Sequence, residues 1–222
     1  MHLPSYSDGG APGYFGVYPA IVTDIVDSDN LGRVEVRFPW LGQSGDQDVR
    51  AFATLCSPYA DKDQGLQILP EVDSQVVVAF EAGDLRRPYV LGSAWHGAAR
   101  LPHQPERSNN IRQLRSRADS RLEFNDGAGA EKVSITMRSG HEIIMDSGRQ
   151  EITIRHAGGS VIRFNAAGGI EIQANVSVDV TSPMVKVTSP MSTFTGVVKC
   201  TTLIAEASVI SPAYTPGVGN LW

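Results

Sequence analysis

The chain has 222 residues, 41% hydrophobic and 19% charged, which suits one large domain or two small ones and excludes disorder along its whole length. Its net charge of −5 argues against broad attraction to nucleic acid or anionic lipid, and it holds no apolar run of the roughly 18 residues that a membrane-spanning helix needs. Two cysteines, Cys56 and Cys200, fall in separate modules, so a disulfide framework is not expected and assembly in a reducing compartment is.

Residues 1–13 are rich in Gly, Pro and Ser and read as a flexible arm, not a signal peptide, so assembly in the cytoplasm is expected. From residue 14 to residue 96 the pattern is that of short strands, expected at Gly16–Val26, Arg33–Phe38, Asp48–Leu55, Gln75–Phe80 and Tyr89–Leu91. Loops rich in Gly, Asp and Pro separate them, and five such strands predict a small OB-fold barrel. One loop, DSDNLG (Asp27–Gly32), resembles half of a calcium loop. It lacks the glutamate six residues beyond its glycine, where Phe38 stands, and reads as an ordinary turn. The aromatics Phe38, Trp40, Phe52 and Phe80 have no accompanying Lys/Arg stripe, so they read as core packing and not as a nucleic-acid platform.

Residues 97–119 read as a linker carrying a basic run, IRQLRSR. Beyond it, 120–211 break into short units: ITIRHAGGS, VIRFNAAGG, IEIQANVS, VDVTSPM and VKVTSPM. Each opens on apolar-x-apolar and ends in small or turn-forming residues. Repeats this short predict a β-helix or β-prism, not a globular sheet. Side chains alternate along a strand, so Ile172, Val176, Val178 and Val180 face one way. Each Ser-Pro then acts as a corner, because proline donates no ladder hydrogen bond, and the inward set moves to Val185 and Val187 before returning to even positions at Phe194 and Val198. A lone chain of this kind exposes every strand edge. Three chains wound about one axis close the ladder and stack these eight residues as a three-fold core, so the expectation is an all-β homotrimer: an OB barrel followed by an intertwined three-chain needle.

The run GLQILPEVDSQVVVAFEAGDLRRPYVLGSAWH (Gly65–His96) resembles the signature of the central spike proteins of contractile injection machines. That group includes VgrG proteins, the phage baseplate assembly protein V family and the OB module of phage tail lysozyme spikes. LGRVEVRFPWL (Leu31–Leu41) is similar to the family's second strand, and SRLEFNDGAGAEKVSITM (Ser120–Met137) to its entry into the needle. The resemblance implies a non-enzymatic central spike in the baseplate of a phage tail or phage-tail-like particle. Such a spike passes transiently through the target cell envelope and links a hub to a tip. About thirteen residues precede the barrel, where VgrG proteins carry a large hub module, so a separate trimeric hub protein is expected as partner. The interval 97–117 is too short for a lysozyme domain, and Glu142, Asp146, Glu151 and Glu171 read as a solvated outer face with no catalytic pair. None of the five histidines forms His-x-His, and His156 is expected to point outward, so no metal and no cofactor are assigned. Residues 212–222 are expected at the tip, with Pro212, Tyr214, Pro216, Leu221 and Trp222 forming either an apolar plug or a platform for a PAAR-type tip protein. The alternatives are a trimeric β-helical tailspike that degrades surface polysaccharide and a VgrG-like type VI secretion spike.

Overall fold

The computed structural model describes residues 13–44, 47–97 and 99–211. In chain order the strands are β1 (Tyr18–Asp24), β2 (Arg33–Arg37), β3 (Gln43–Ser44), β4 (Gln47–Asp48), β5 (Arg50–Leu55), β6 (Ala60–Asp61), β7 (Gln64–Gly65), β8 (Gln75–Phe80) and β9 (Pro88–Ser93). They continue as β10 (Ile111–Arg115), β11 (Arg121–Asn125), β12 (Lys132–Thr136), β13 (Glu142–Asp146), β14 (Glu151–Arg155), β15 (Val161–Phe164) and β16 (Ile170–Gln173). Among the described residues, helix is confined to the turns Pro39–Leu41 and Glu81–Gly83. The chain divides into two compact units, Met1–Asn175 and Val176–Trp222.

Strands β1, β2, β5, β9 and β8 close into a barrel. All neighbours run antiparallel except β5 and β9, which are parallel. Numbered among the five, the order is first, second, third, fifth, fourth, which is the OB-fold expected from the sequence. Alternation decides what lies inside: Val22, Val34, Val36, Val76 and Val78 are fully buried while their strand neighbours face outward. Register shifts at Val22/Asp24 and at Val77/Val78 supply the bulges that curl so few strands into a closed wall. Phe38 and Phe80 belong to the core; Trp40 is half-buried, stacked on Tyr18 at 4.7 Å with its indole N–H donating to the Pro19 carbonyl at 3.0 Å. Phe52 differs from expectation. It lies on the outer surface with the Arg33 guanidinium 5.0 Å above its ring.

The DSDNLG loop is held by that same arginine. Asp27 accepts hydrogen bonds from the N–H groups of Asp29 and Leu31 and from Arg33 Nε and Nη2 at 2.9 and 2.8 Å, and Arg33 also reaches Asp29 at 2.7 Å. Both carboxylates are neutralised from within the chain, so this is a turn locked by an ion pair.

Strands β10 to β16 form one sheet in sequence order, each antiparallel to the next. Here the structure corrects the sequence reading. The units that begin at Ile152, Val161 and Ile170 pair with one another within one chain, as β14, β15 and β16. The cause lies in their turns. Gly159 and Gly168, between these strands, take φ of +95° and +80°, a left-handed backbone that reverses the chain within a few residues and that a Cβ would strain. The sheet also begins inside the stretch expected as linker. There Ile111–Arg115 is its first strand, and Asp126 and Asp119 engage Arg112 and Arg115.

In the second unit, residues 176–211 form no strand ladder among the described residues. The sequence has no glycine between Gly169 and Gly196; two Ser-Pro corners stand in their place. The corners share one geometry. Ser182 Oγ donates to the Met184 carbonyl at 2.9 Å and accepts its N–H at 3.3 Å, and Ser189 does the same with Met191 at 2.6 and 3.3 Å. Such a corner bends the strand without folding it back on itself.

Candidate assembly surface

The register of the sheet builds a surface. Leu114, Leu122, Ile135, Ile143, Ile154, Ile162 and Ile172 are successive cross-strand partners across all seven strands. Two residues further along the strands, Phe124, Val133, Met145, Ile152, Phe164 and Ile170 form a second row. Cross-strand partners share a face, as do residues two apart on one strand, so both rows lie side by side. No described residue covers them: Ile143, Ile152 and Ile154 are 41–43% exposed, and Ile170 and Ile172 are 63% and 61% exposed.

The opposite face is polar. Its central row carries Gln113, Glu123, Ser134, Thr153, Arg163 and Glu171, interrupted by Ile144. Arg155 bridges to Glu142 at 3.4 Å and Arg163 to Glu171 at 3.3 Å across adjacent strands. Glu142, Asp146, Glu151 and Glu171 all stand on this side, and Asp146 and Glu151 are direct cross-strand partners. At the end of the first hairpin, hydrogen bonding from Arg121, reinforced by the Arg115 charge, holds the Asp119 carboxyl below the usual carboxylate range.

His156 is exposed and lies two residues past Ile154, just beyond β14, with its ring 4.6 Å from that of His141. The pair lines a hollow of about 270 Å³ together with Ile135, Met137, Glu142, Ile143, Ile154 and Arg155. Each Nδ1 accepts a backbone N–H, His141 from Ala157 at 3.3 Å and His156 from Gly158 at 3.0 Å. Among the described residues no group of three or more His, Cys, Asp or Glu side chains is placed to hold a metal ion.

Of the expected core residues, Ile172 lies at the open end of the long apolar row, on β16. Val176, Val178, Val180, Val185, Val187, Phe194 and Val198 lie in the second unit and are 59–97% exposed, gathered into no apolar cluster among the described residues. Pro212, Tyr214, Pro216, Leu221 and Trp222 fall outside the described residues. The apolar rows on β11 to β15 were not singled out from the sequence, although the alternation in RLEF, KVSI, EIIM, EITI and VIRF carries them. No helix among the described residues is long and apolar enough to cross a membrane.

Comparison with known proteins agrees with the barrel. Residues 18–95 match the type VI secretion system/phage-baseplate injector OB domain. The chain is 26% identical over 134 residues to the type VI secretion system spike protein VgrG3 of Vibrio cholerae, covering 58% of this chain and 13% of that protein. It is 31% identical over 139 residues to the spike protein VgrG5 of Pseudomonas aeruginosa, covering 60% and 17%. A protein named actin cross-linking toxin VgrG1, also from Vibrio cholerae, is 25% identical over 117 residues, covering 52% and 10%. The chain thus spans less than a fifth of the length of these relatives. Barrel topology, domain match and relatives agree: residues 18–95 form the injector OB domain of phage baseplates and type VI secretion systems, and the chain is similar to VgrG spike proteins.

Proposed function

We propose that the chain acts as a non-enzymatic homotrimeric central spike, driven through a target cell envelope by a contractile apparatus and linking a baseplate hub to a tip. The observation that supports this best is the uncovered apolar face of the sheet directly after an injector OB domain. Fully burying one Ile, Leu or Phe side chain stabilises by about 1.5–3 kcal/mol. Thirteen apolar positions per chain, each gaining about half that, contribute about 10–20 kcal/mol, against an association cost of about 4–15 kcal/mol. Three copies of the face meet as a dry interior, and the polar face with its ion pairs turns to solvent. In this reading Ile172, Val176, Val178, Val180, Val185, Val187, Phe194 and Val198 continue the three-fold core, and Pro212–Trp222 form the leading surface, bare or covered by a PAAR-type tip protein. The particle is a phage tail, a phage-tail-like device or a type VI secretion apparatus, and the names of the relatives favour the last.

Mass photometry of the purified full chain at micromolar concentration tests the assembly, with a trimer expected. A stable monomer would overturn the reading. Incubation of the trimer with peptidoglycan and with capsular polysaccharide should release no fragments; turnover of either would replace the mechanical role with an enzymatic one.

A further inference from the structure

Four charged residues occur between residues 176 and 211: Asp179, Lys186, Lys199 and Glu206. Each sits between two small apolar residues, as in Val178-Asp179-Val180 and Val185-Lys186-Val187. They form two pairs of opposite sign, and both pairs are seven residues apart. Seven is also the length of the repeat. VDVTSPM and VKVTSPM differ at one position only, the charge, and their corners carry the same hydrogen bonds. Among the described residues none of the four charges has an ion-pair partner; Asp179 only accepts from the Ser177 hydroxyl at 2.8 Å.

The proposed trimeric needle, on which this inference rests, gives that spacing a meaning. When three parallel chains wind about one axis, each repeat forms one wall and the next repeat moves on to the next face. On any one face, a wall of one chain is therefore stacked against the following repeat of a neighbouring chain. Stacked walls are separated by the strand spacing of about 4.8 Å. We infer that Asp179 of one copy pairs with Lys186 of the next, and Lys199 with Glu206 of the next. Two tiers of three inter-chain ion pairs then set how the copies align along the axis. The need for such a device follows from the repeat itself. Valines, Ser-Pro corners and methionines are identical in the two units, so apolar packing cannot distinguish correct alignment from a slip of one repeat. A slipped chain would set Asp179 beside Asp179 and Lys186 beside Lys186, and like charges facing each other across strands are unfavourable.

The test is a charge swap in the full-length chain, read as the half-life of the trimer in denaturant. Asp179→Lys and Lys186→Asp alone each place like charges in one tier, three times over, and should shorten the half-life about tenfold or prevent assembly. The double variant D179K/K186D should restore the half-life to within about threefold of the starting protein. A double variant as weak as the two single effects combined, or one that also fails to assemble, would overturn the pairing. Cross-linking separates neighbours from self: with Cys56→Ser and Cys200→Ser, oxidised D179C/K186C should give a covalent trimer, and a cross-link confined to single chains sinks the proposal. Absence of a trimer in the unmodified protein would instead remove the needle reading beneath it.

Discussion

The barrel and the sheet that follows it use the same local rule and reach opposite ends. Both alternate apolar with polar residues along short antiparallel strands. In the barrel the apolar set faces an interior that one chain can seal, and Val22, Val36 and Val78 lose all their exposed surface. In the sheet the same residue types line a face that the chain leaves open, with Ile143 and Ile154 more than two-fifths exposed. The difference is curvature. Bulges at Val22/Asp24 and Val77/Val78 and the parallel contact of β5 with β9 bring the barrel's edges together, whereas six consecutive hairpins keep the sheet open. A strand pattern therefore states which residues need covering, and the connections decide whether the cover comes from the same chain.

The largest expected effect contrasts one substitution in the two regions. Val36→Asp buries an unpaired carboxylate inside the barrel at a cost of about 3–5 kcal/mol, enough to unfold a small domain. Ile154→Asp should leave the barrel folded and abolish the trimer, because three carboxylates would meet in the shared interior. Circular dichroism and sedimentation separate the outcomes. Equal loss of folding in both would mean that the sheet face is closed within the chain.

Acid should then separate the regions by a smaller amount. Arg33 and the N–H groups of Leu31 and Asp29 hold the Asp27 carboxyl well below its ordinary value of 3.8. Because the folded value lies below the unfolded one, this stabilisation is complete above about pH 4 and is lost as pH falls further. The urea midpoint of the barrel should drop as pH falls below about 4, and Asp27→Asn should lower it at pH 7 while flattening the acid limb. An unchanged acid limb in that variant would remove the Asp27–Arg33 lock from the account. The smallest effect expected is at Gly168, whose φ is +80° and whose absent Cβ would meet nothing within 4 Å. Gly168→Ala should cost about 1 kcal/mol through backbone strain alone, seen as faster amide exchange in β15 and β16 with the barrel unaffected.

Much of this was legible in the sequence, and the exceptions have physical causes. The five barrel strands and the Gly65–His96 signature carry the OB domain because loops and core alternation agree there. The first strand of the sheet was hidden by its arginines: Arg112 and Arg115 make Ile111–Arg115 read as a basic run, although Asp126 and Asp119 engage them. The pairing of β14 to β16 within one chain was missed because alternation is the same whether the neighbouring strand is one's own or another chain's. Only the glycine turns at 159 and 168 distinguish the two. The lock on the DSDNLG loop had a readable sign in Arg33, six residues after Asp27.

The six hairpins of the sheet also set an order in time. Each strand finds its partner only a few residues away in sequence, so β10 to β16 can assemble turn by turn in microseconds, on a chain still alone. Residues 176–211 have no such local partner, and in the trimeric reading their pairing waits for diffusion to bring two more chains. The interval between those two events lengthens as the chain becomes scarcer. Throughout it, an open apolar face and unpaired backbone are present together on a fully synthesised chain. Yield of intact spike should therefore rise more steeply than in proportion to expression level, and the losses at low level should be to proteolysis of the part beyond Asn175.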